Sequence, residues 1–166
     1  VLLVGAVAFG VYAIYFSSWL RADSVQVVGN AQLSEKQVLA TADVPLGGPL
    51  ATVDLHAIEV RLKSLATVKS VDVSRTWPHD VRIDIVERTP VAVLDRGDRL
   101  TNLDATGVAF GHLAKAPDGL PRVKVGPGAD GDALAEGAAV VVALDPAITE
   151  LVDYVEVRSV DEIDLH

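Results

Sequence analysis

Apolar and polar positions change their rhythm three times along this chain. Residues 1–20 contain no charged side chain and are apolar on every helical face. A helix of that length spans about 30 Å, the thickness of a bilayer hydrocarbon core. It also satisfies its own backbone hydrogen bonds, as a membrane span must. Tyr12, Tyr15 and Trp19 crowd toward one end, where amphipathic rings favour the headgroup level. No small-x-small cleavage pattern precedes Arg21. The pattern predicts a transmembrane helix over residues 1–21.

From residue 22 the rhythm is that of a small mixed domain, predicted over 22–90. Val25, Val27 and Gly29 alternate with Ser24, Gln26 and Val28 and end in a Gly29-Asn30 turn, a short strand. Ser34 suits a helix N-cap, with Gln37 three residues on as in a capping box and Leu33 and Val38 as the apolar staple. Val38, Leu39 and Ala42 are the buried stripe of this helix, which stops before Pro45. Asp54 caps a second helix, whose Leu55, Ile58, Leu62 and Leu65 make one apolar face with Arg61 and Lys63 on the wet side. Two alternating strands follow: Val71 and Val73 point inward in the first, Val81, Ile83 and Ile85 in the second. Trp77-Pro78-His79-Asp80 is the turn between them. Two helices on one face of three strands make a small α+β unit. In that unit Trp77 reads as core filler.

Residues 91–166 form a second module. Strands are expected at 91–94 and 99–103, joined by a turn at Asp95-Arg96-Gly97-Asp98. A second turn over 104–107 leads into a strand at 108–110. Residues 116–131, rich in Pro and Gly, read as loop. Asp132 is placed to cap a helix running to about residue 144, and Pro146 to open a short one. Strands are expected again at 154–160 and from 163 onward. The chain reads as a piece of a longer polypeptide. It opens on Val1 rather than Met, and the alternation begun at Ile163 stops at His166, leaving the second module incomplete.

Charge narrows the function. Between residues 23 and 90 there are 7 basic and 9 acidic residues, and between 91 and 166 there are 6 and 14. An acidic second module repels phosphate backbones, so nucleic acid is not the expected partner. There is no Cys, hence no disulfide framework and no thiolate nucleophile or zinc ligand. His56, His79, His112 and His166 share no metal-ligand spacing. Asp130-Gly131-Asp132 lacks the later bidentate Glu of a calcium loop. No G-x-S-x-G elbow accompanies any serine. These readings predict no enzyme, no metal and no cofactor. Asp72, Arg75, Arg82, Asp84, Glu87 and Arg88 alternate in sign on adjoining strands, and cross-strand charge pairing is the expected role.

Several of these residues also carry a resemblance. The order strand–helix–helix–strand–strand just after an apolar helix is similar to a POTRA domain. The run Val71-Asp-Val-Ser-Arg75-Thr-Trp77-Pro78, then Glu87-Arg88-Thr-Pro90, looks like the signature of the FtsQ/DivIB family of bacterial cell-division proteins. Val27-Val-Gly29, Pro49-Leu50 and Val53-Asp54 join the match. The resemblance implies a single-pass type II membrane protein enriched at the septum, with both modules extracytoplasmic and the second an FtsQ-type β domain. It implies a non-catalytic scaffold that binds the small bitopic proteins FtsB and FtsL by sheet-edge pairing. The resemblance also implies a further strand pair and a partner-binding edge beyond His166; within the chain Arg82, Asp84, Tyr154, Glu156 and Arg158 are the candidate edge residues. An outer-membrane assembly or secretion component with POTRA units is the alternative reading, and an anchored cell-wall enzyme the third.

Overall fold

The computed structural model describes residues 2–16, 18–126, 129–149 and 151–166. The chain divides into two compact units, Val1–Glu87 and Arg88–His166.

The first unit opens with α1, Leu2–Phe16, followed by a 3-10 turn over Ser18–Leu20. Fifteen residues rise about 22 Å, short of the span expected for residues 1–21. Among the described residues no helix is long and apolar enough to cross a membrane. Val1, Ser17 and the side chain of Tyr15 lie outside what is described.

Beyond the turn stand β1 (Ser24–Val28), α2 (Glu35–Ala42), α3 (Leu55–Lys63), β2 (Val68–Thr76) and β3 (Asp80–Glu87). The strand order is β1-β3-β2, with β1 parallel and β2 antiparallel to β3. Val71, Val73, Val81, Ile83 and Ile85 point to one face and bury there with Ile58 and Leu62 of α3 and Val38 and Ala42 of α2. Each of the Val, Ile and Leu side chains contributes roughly 1.5–3 kcal/mol relative to exposure. The capping box forms as expected: Ser34 accepts from the Gln37 amide, and the Gln37 side chain accepts from the Ser34 amide. Leu39 departs from its expected place and is exposed, because an eight-residue helix turns only Val38 and Ala42 fully inward. Arg61 does not lie on the wet side. Its guanidinium donates to the Ala42 carbonyl at 2.6 and 2.9 Å and to that of Asp43 at 3.3 Å, closing the open end of α2.

The second unit is a six-stranded mixed sheet in the order β6-β5-β4-β7-β8-β9. Its strands are β4 (Pro90–Asp95), β5 (Leu100–Asp104), β6 (Ala109–Leu113), β7 (Arg122–Val125), β8 (Tyr154–Ser159) and β9 (Glu162–Leu165). Helix α4 (Gly131–Ala143) packs on β8 and β4, and α5 (Pro146–Thr149) follows it. Leu94, Leu103, Val123, Val155 and Val157 bury against Ala133, Leu134, Ala138 and Val141 of α4. Two expectations are corrected here. Residues 116–131 are not all loop: β7 sits inside them, parallel to β4 and β8, and Pro127 and Gly128 lie outside the described residues. The cap of α4 is Asp130, not Asp132, and its carboxylate accepts from the Ala133 amide at 3.0 Å.

Candidate functional site

The residues carrying the family signature spend their polar groups on holding loops. Glu87 ends β3 and turns its carboxylate back onto the amides of Ala31, Gln32 and Leu33, at 3.0, 2.7 and 2.9 Å. Burial pushes its pKa up, but the three amide donors together outweigh that and leave it below the ordinary range. Arg75 on β2 forks onto the carbonyls of Leu50, Ala51 and Val53, fixing the 3-10 turn that carries Pro49 and Leu50 toward Asp54. Gly29 has φ +88°, and a Cβ there would lie 2.0 Å from the Ile85 carbonyl oxygen. Glycine alone fits that close approach. Val27 packs against the same core.

In the second unit Arg88 reaches Asp104, and this pair is largely hidden from solvent. Asp104 also accepts from the Thr106 hydroxyl and from the amides of Thr106 and Val108. Burial raises its pKa, and these donors with Arg88 more than reverse the shift, holding it low. The turn over 104–107 is thereby locked, and Gly107 slides beneath α4: a Cβ there would meet the Ala135 backbone nitrogen at 2.4 Å. Pro90 opens β4 beside this node. Sequence reasoning gave Asp104 a turn position but not this hub. The clue was its place before a Gly in the run Asp104-Ala-Thr-Gly107.

Trp77 is 51 % exposed, not core filler, and Pro78 follows it in the turn. Arg82 and Asp84 also lie elsewhere than expected. Their strand, β3, is central, with both sides of its backbone already paired by β1 and β2. The two side chains pair with each other along that strand, at 2.7 and 2.8 Å, rather than across strands. This lowers the pKa of Asp84 and raises that of Arg82.

Tyr154, Glu156 and Arg158 sit on β8, one strand in from the rim. Val155 and Val157 alternate with them and face the core, so the three share the outer face. Register sets Asp164 of β9 opposite Glu156. Arg158 gathers Glu156 at 2.9 Å, Glu162 at 2.8 Å and Asp164 at 3.2 Å. Bonding to Arg158 first, and then the nearby His166, holds Glu156 below its ordinary pKa. The Tyr154 ring stacks on His166 at 4.6 Å and takes the Lys124 ammonium at 3.6 Å from its centroid. Lys124 lies on β7, the strand hidden from sequence reasoning. Glu156, Asp164 and His166 bring donor atoms within 4.8 Å of one another. Arg158 already neutralises both carboxylates, so the set is built as an ion-pair network rather than a cation cage.

Among the described residues β9 is the last strand on this side of the sheet. Tyr154 and His166 exchange backbone bonds, the amide of His166 to Tyr154 at 3.0 Å and the reverse at 3.4 Å. Alternation along an antiparallel pair then turns the amides and carbonyls of Ile163 and Leu165 outward, away from β8. A groove of about 560 Å³ elsewhere in this unit is lined by Arg122, Thr149, Val152 and Asp153 among others. The Thr149 hydroxyl is engaged with the Asp145 carbonyl. Among the described residues no buried side-chain nitrogen or oxygen lacks a hydrogen-bond partner.

The family of the POTRA domain, FtsQ-type, matches residues 20–88. A cell division protein FtsQ of Streptomyces venezuelae is 44% identical over 70% of this chain and 44% of its own length. That of Streptomyces coelicolor is 36% identical over 93% of this chain and 64% of its own length. The extracytoplasmic domain of the cell division protein DivIB from Geobacillus stearothermophilus is 21% identical, with a TM-score of 0.35 over 42% of this chain and 59% of that one. The chain spans between 44% and 64% of the length of these relatives. From the FtsQ-type POTRA match and the identity that runs on into the second unit, this chain belongs to the FtsQ/DivIB family of bacterial cell-division proteins.

Proposed function

We propose that this protein is a non-catalytic, membrane-anchored scaffold of the division machinery that takes partner strands at the β9 side of its second sheet. The partners are small bitopic proteins of the FtsB and FtsL kind, and the setting is the septal cell membrane with both units outside. One observation supports the reading: among the described residues β9 pairs with β8, and the backbone of Ile163 and Leu165 faces the opposite side, the side on which this sheet can be extended. Strand addition needs such an edge, since main-chain bonds give affinity and alternate side chains give specificity. The Arg158 network beside it supplies charged side chains that discourage indiscriminate pairing.

The scaffold role is supported by where the charged motif residues go. Arg75, Glu87 and Asp104 are each engaged by three or more hydrogen bonds that position loops. The anchor is supported by α1, whose described residues carry no charge and whose Leu2, Leu3, Val4, Val7 and Phe9 stand exposed.

The test uses the longest natural chain containing these residues, titrated with extracytoplasmic segments of FtsB- and FtsL-like proteins. Saturable binding in the micromolar range is expected. Leu165→Pro removes one outward amide without touching the ladder to β8, and weakens binding about tenfold or more. Binding unchanged by that substitution rejects the β9 side; no association with either partner rejects the scaffold reading.

A further inference from the structure

The junction between the apolar helix and the POTRA core is fixed by backbone bonds rather than left as a loose tether. The Ala22 amide donates to the Gly48 carbonyl at 2.9 Å, and the Gly47 amide donates back to the Ala22 carbonyl at 2.7 Å. The Asp23 amide donates to the His79 carbonyl at 2.8 Å, and Arg21 forms a bridge with Pro49. The sheet register says the same. Ser24 at the start of β1 is level with Asp80 at the start of β3, so the chain enters the sheet beside the turn 77–79. Two loops far apart in sequence, 45–49 and 77–79, therefore rim the end of the unit where α1 arrives.

Both loops carry a large apolar side chain in water. Leu46 is 54 % exposed and Trp77 51 %, and Trp19 in the connecting turn is 71 % exposed. Single exposed apolar residues need no explanation, but a set gathered at one end of a unit does. Indole has an apolar body and a polar N–H, the combination favoured at the headgroup level. The link is short. From Phe16 to Ala22 a fully extended chain reaches about 20 Å, and the 3-10 turn over Ser18–Leu20 shortens it further. The interfacial layer beside each hydrocarbon face is some 5–8 Å deep. This rim is thus held close to any bilayer that contains α1.

We infer that Leu46 and Trp77 form a lipid-facing rim that seats the POTRA unit on the headgroup layer of the membrane. The inference rests on α1 being a membrane anchor, as proposed above. Arg21 and Asp23 at the junction offset each other in charge, and Asp80 beside the turn 77–79 is held by Ser24 and Gln26, so Leu46 and Trp77 carry the contact and it tolerates salt. The occupant is the bilayer surface rather than another protein, because the rim adjoins the one segment that is apolar all round.

The chain has two tryptophans, which makes the test direct. Trp19→Phe leaves Trp77 as the sole reporter, and Trp77→Phe leaves Trp19. Each is reconstituted as the full chain into phosphatidylcholine vesicles carrying a quencher near the headgroups, and separately exposed to aqueous iodide. Trp77 is expected to emit at shorter wavelength with vesicles and to be quenched several-fold more by lipid than by iodide, unchanged at high salt. Leu46→Asp in the Trp19→Phe chain, with circular dichroism unaltered, lowers the lipid quenching by half or more; Leu46→Ser is the milder alternative if the dichroism changes. If Trp77 is quenched by iodide alone while Trp19 is quenched by lipid, the rim is overturned and the anchor stands. If neither is quenched by lipid and the chain does not sediment with vesicles, the anchor fails and the rim with it.

Discussion

At the scale of single residues, the signature of this family is a set of clips that tie irregular backbone to a sheet. Arg75 shows how specific a clip is. Its planar fork reaches three carbonyls of the segment 50–53 at once, which an ammonium on a flexible stem does not reproduce. Arg75→Lys keeps the charge and loses the fork. Hydrogen bonds to a charged donor contribute about 1.5–3 kcal/mol each, with partial replacement by the lysine, so a net loss of about 1–3 kcal/mol is expected in urea unfolding. A midpoint equal to that of the parent would show that the fork is ornamental. Little of this was legible beforehand. Sequence spacing placed Arg75 on a strand opposite charged neighbours, and cross-strand pairing was the natural expectation. The acceptors are instead carbonyls some 22–25 residues away, and no periodicity marks a carbonyl. Trp77 departs from the expected core position for a related reason: a large aromatic in a turn carries no burial pattern of its own.

At the scale of elements, legibility followed the strength of local chemistry. Both helices of the POTRA unit were placed by their caps, because Ser34 with Gln37 and Asp54 act on amides three residues away. Removing the cap hydroxyl is accordingly the cleanest test of how much α2 relies on local signals. Ser34→Ala should cost about 0.5–2 kcal/mol and speed amide exchange first in the opening turn of α2; unaltered exchange there would mean tertiary packing alone sets the boundary. Strand β7 escaped notice because four residues give barely two inward positions, of which Val123 alone is fully buried, and Pro and Gly flank them. The order of strands was less legible still. Alternation in residues 81–86 and 154–160 tells which face is buried, but whether a strand is central or at the rim depends on pairings with β1, β2, β7 and β9. Arg82 and Asp84 looked like edge guards and lie on a central strand. Tyr154, Glu156 and Arg158 lie one strand inside the edge whose outer face they decorate.

At the scale of the whole molecule, both units place a depressed carboxylate at a joint between loop and sheet, and this ties stability to pH. Glu87 and Asp104 have folded pKa values below their unfolded ones. Each therefore contributes stability that is fully present above the unfolded value, near 4, and that is lost as pH falls through the lower folded value. Stability should be flat from about pH 7 to pH 5 on account of these two groups and decline on further acidification. The substitutions Glu87→Gln and Asp104→Asn keep the shape and abolish the titration. Each variant should be less stable than the parent near neutrality, by about 1–3 kcal/mol for the charge-assisted bonds weakened. Its stability should also fall less between pH 7 and pH 3, so that parent and variant converge in acid. Hydrogen exchange separates the two contributions: Glu87→Gln should loosen the amides of Ala31 to Leu33, and Asp104→Asn those of Thr106 and Val108. Parallel pH profiles for parent and variant would mean that these carboxylates are as free to ionise in the unfolded chain as in the folded one. The amide donors that converge on them would then be geometry without energetic consequence.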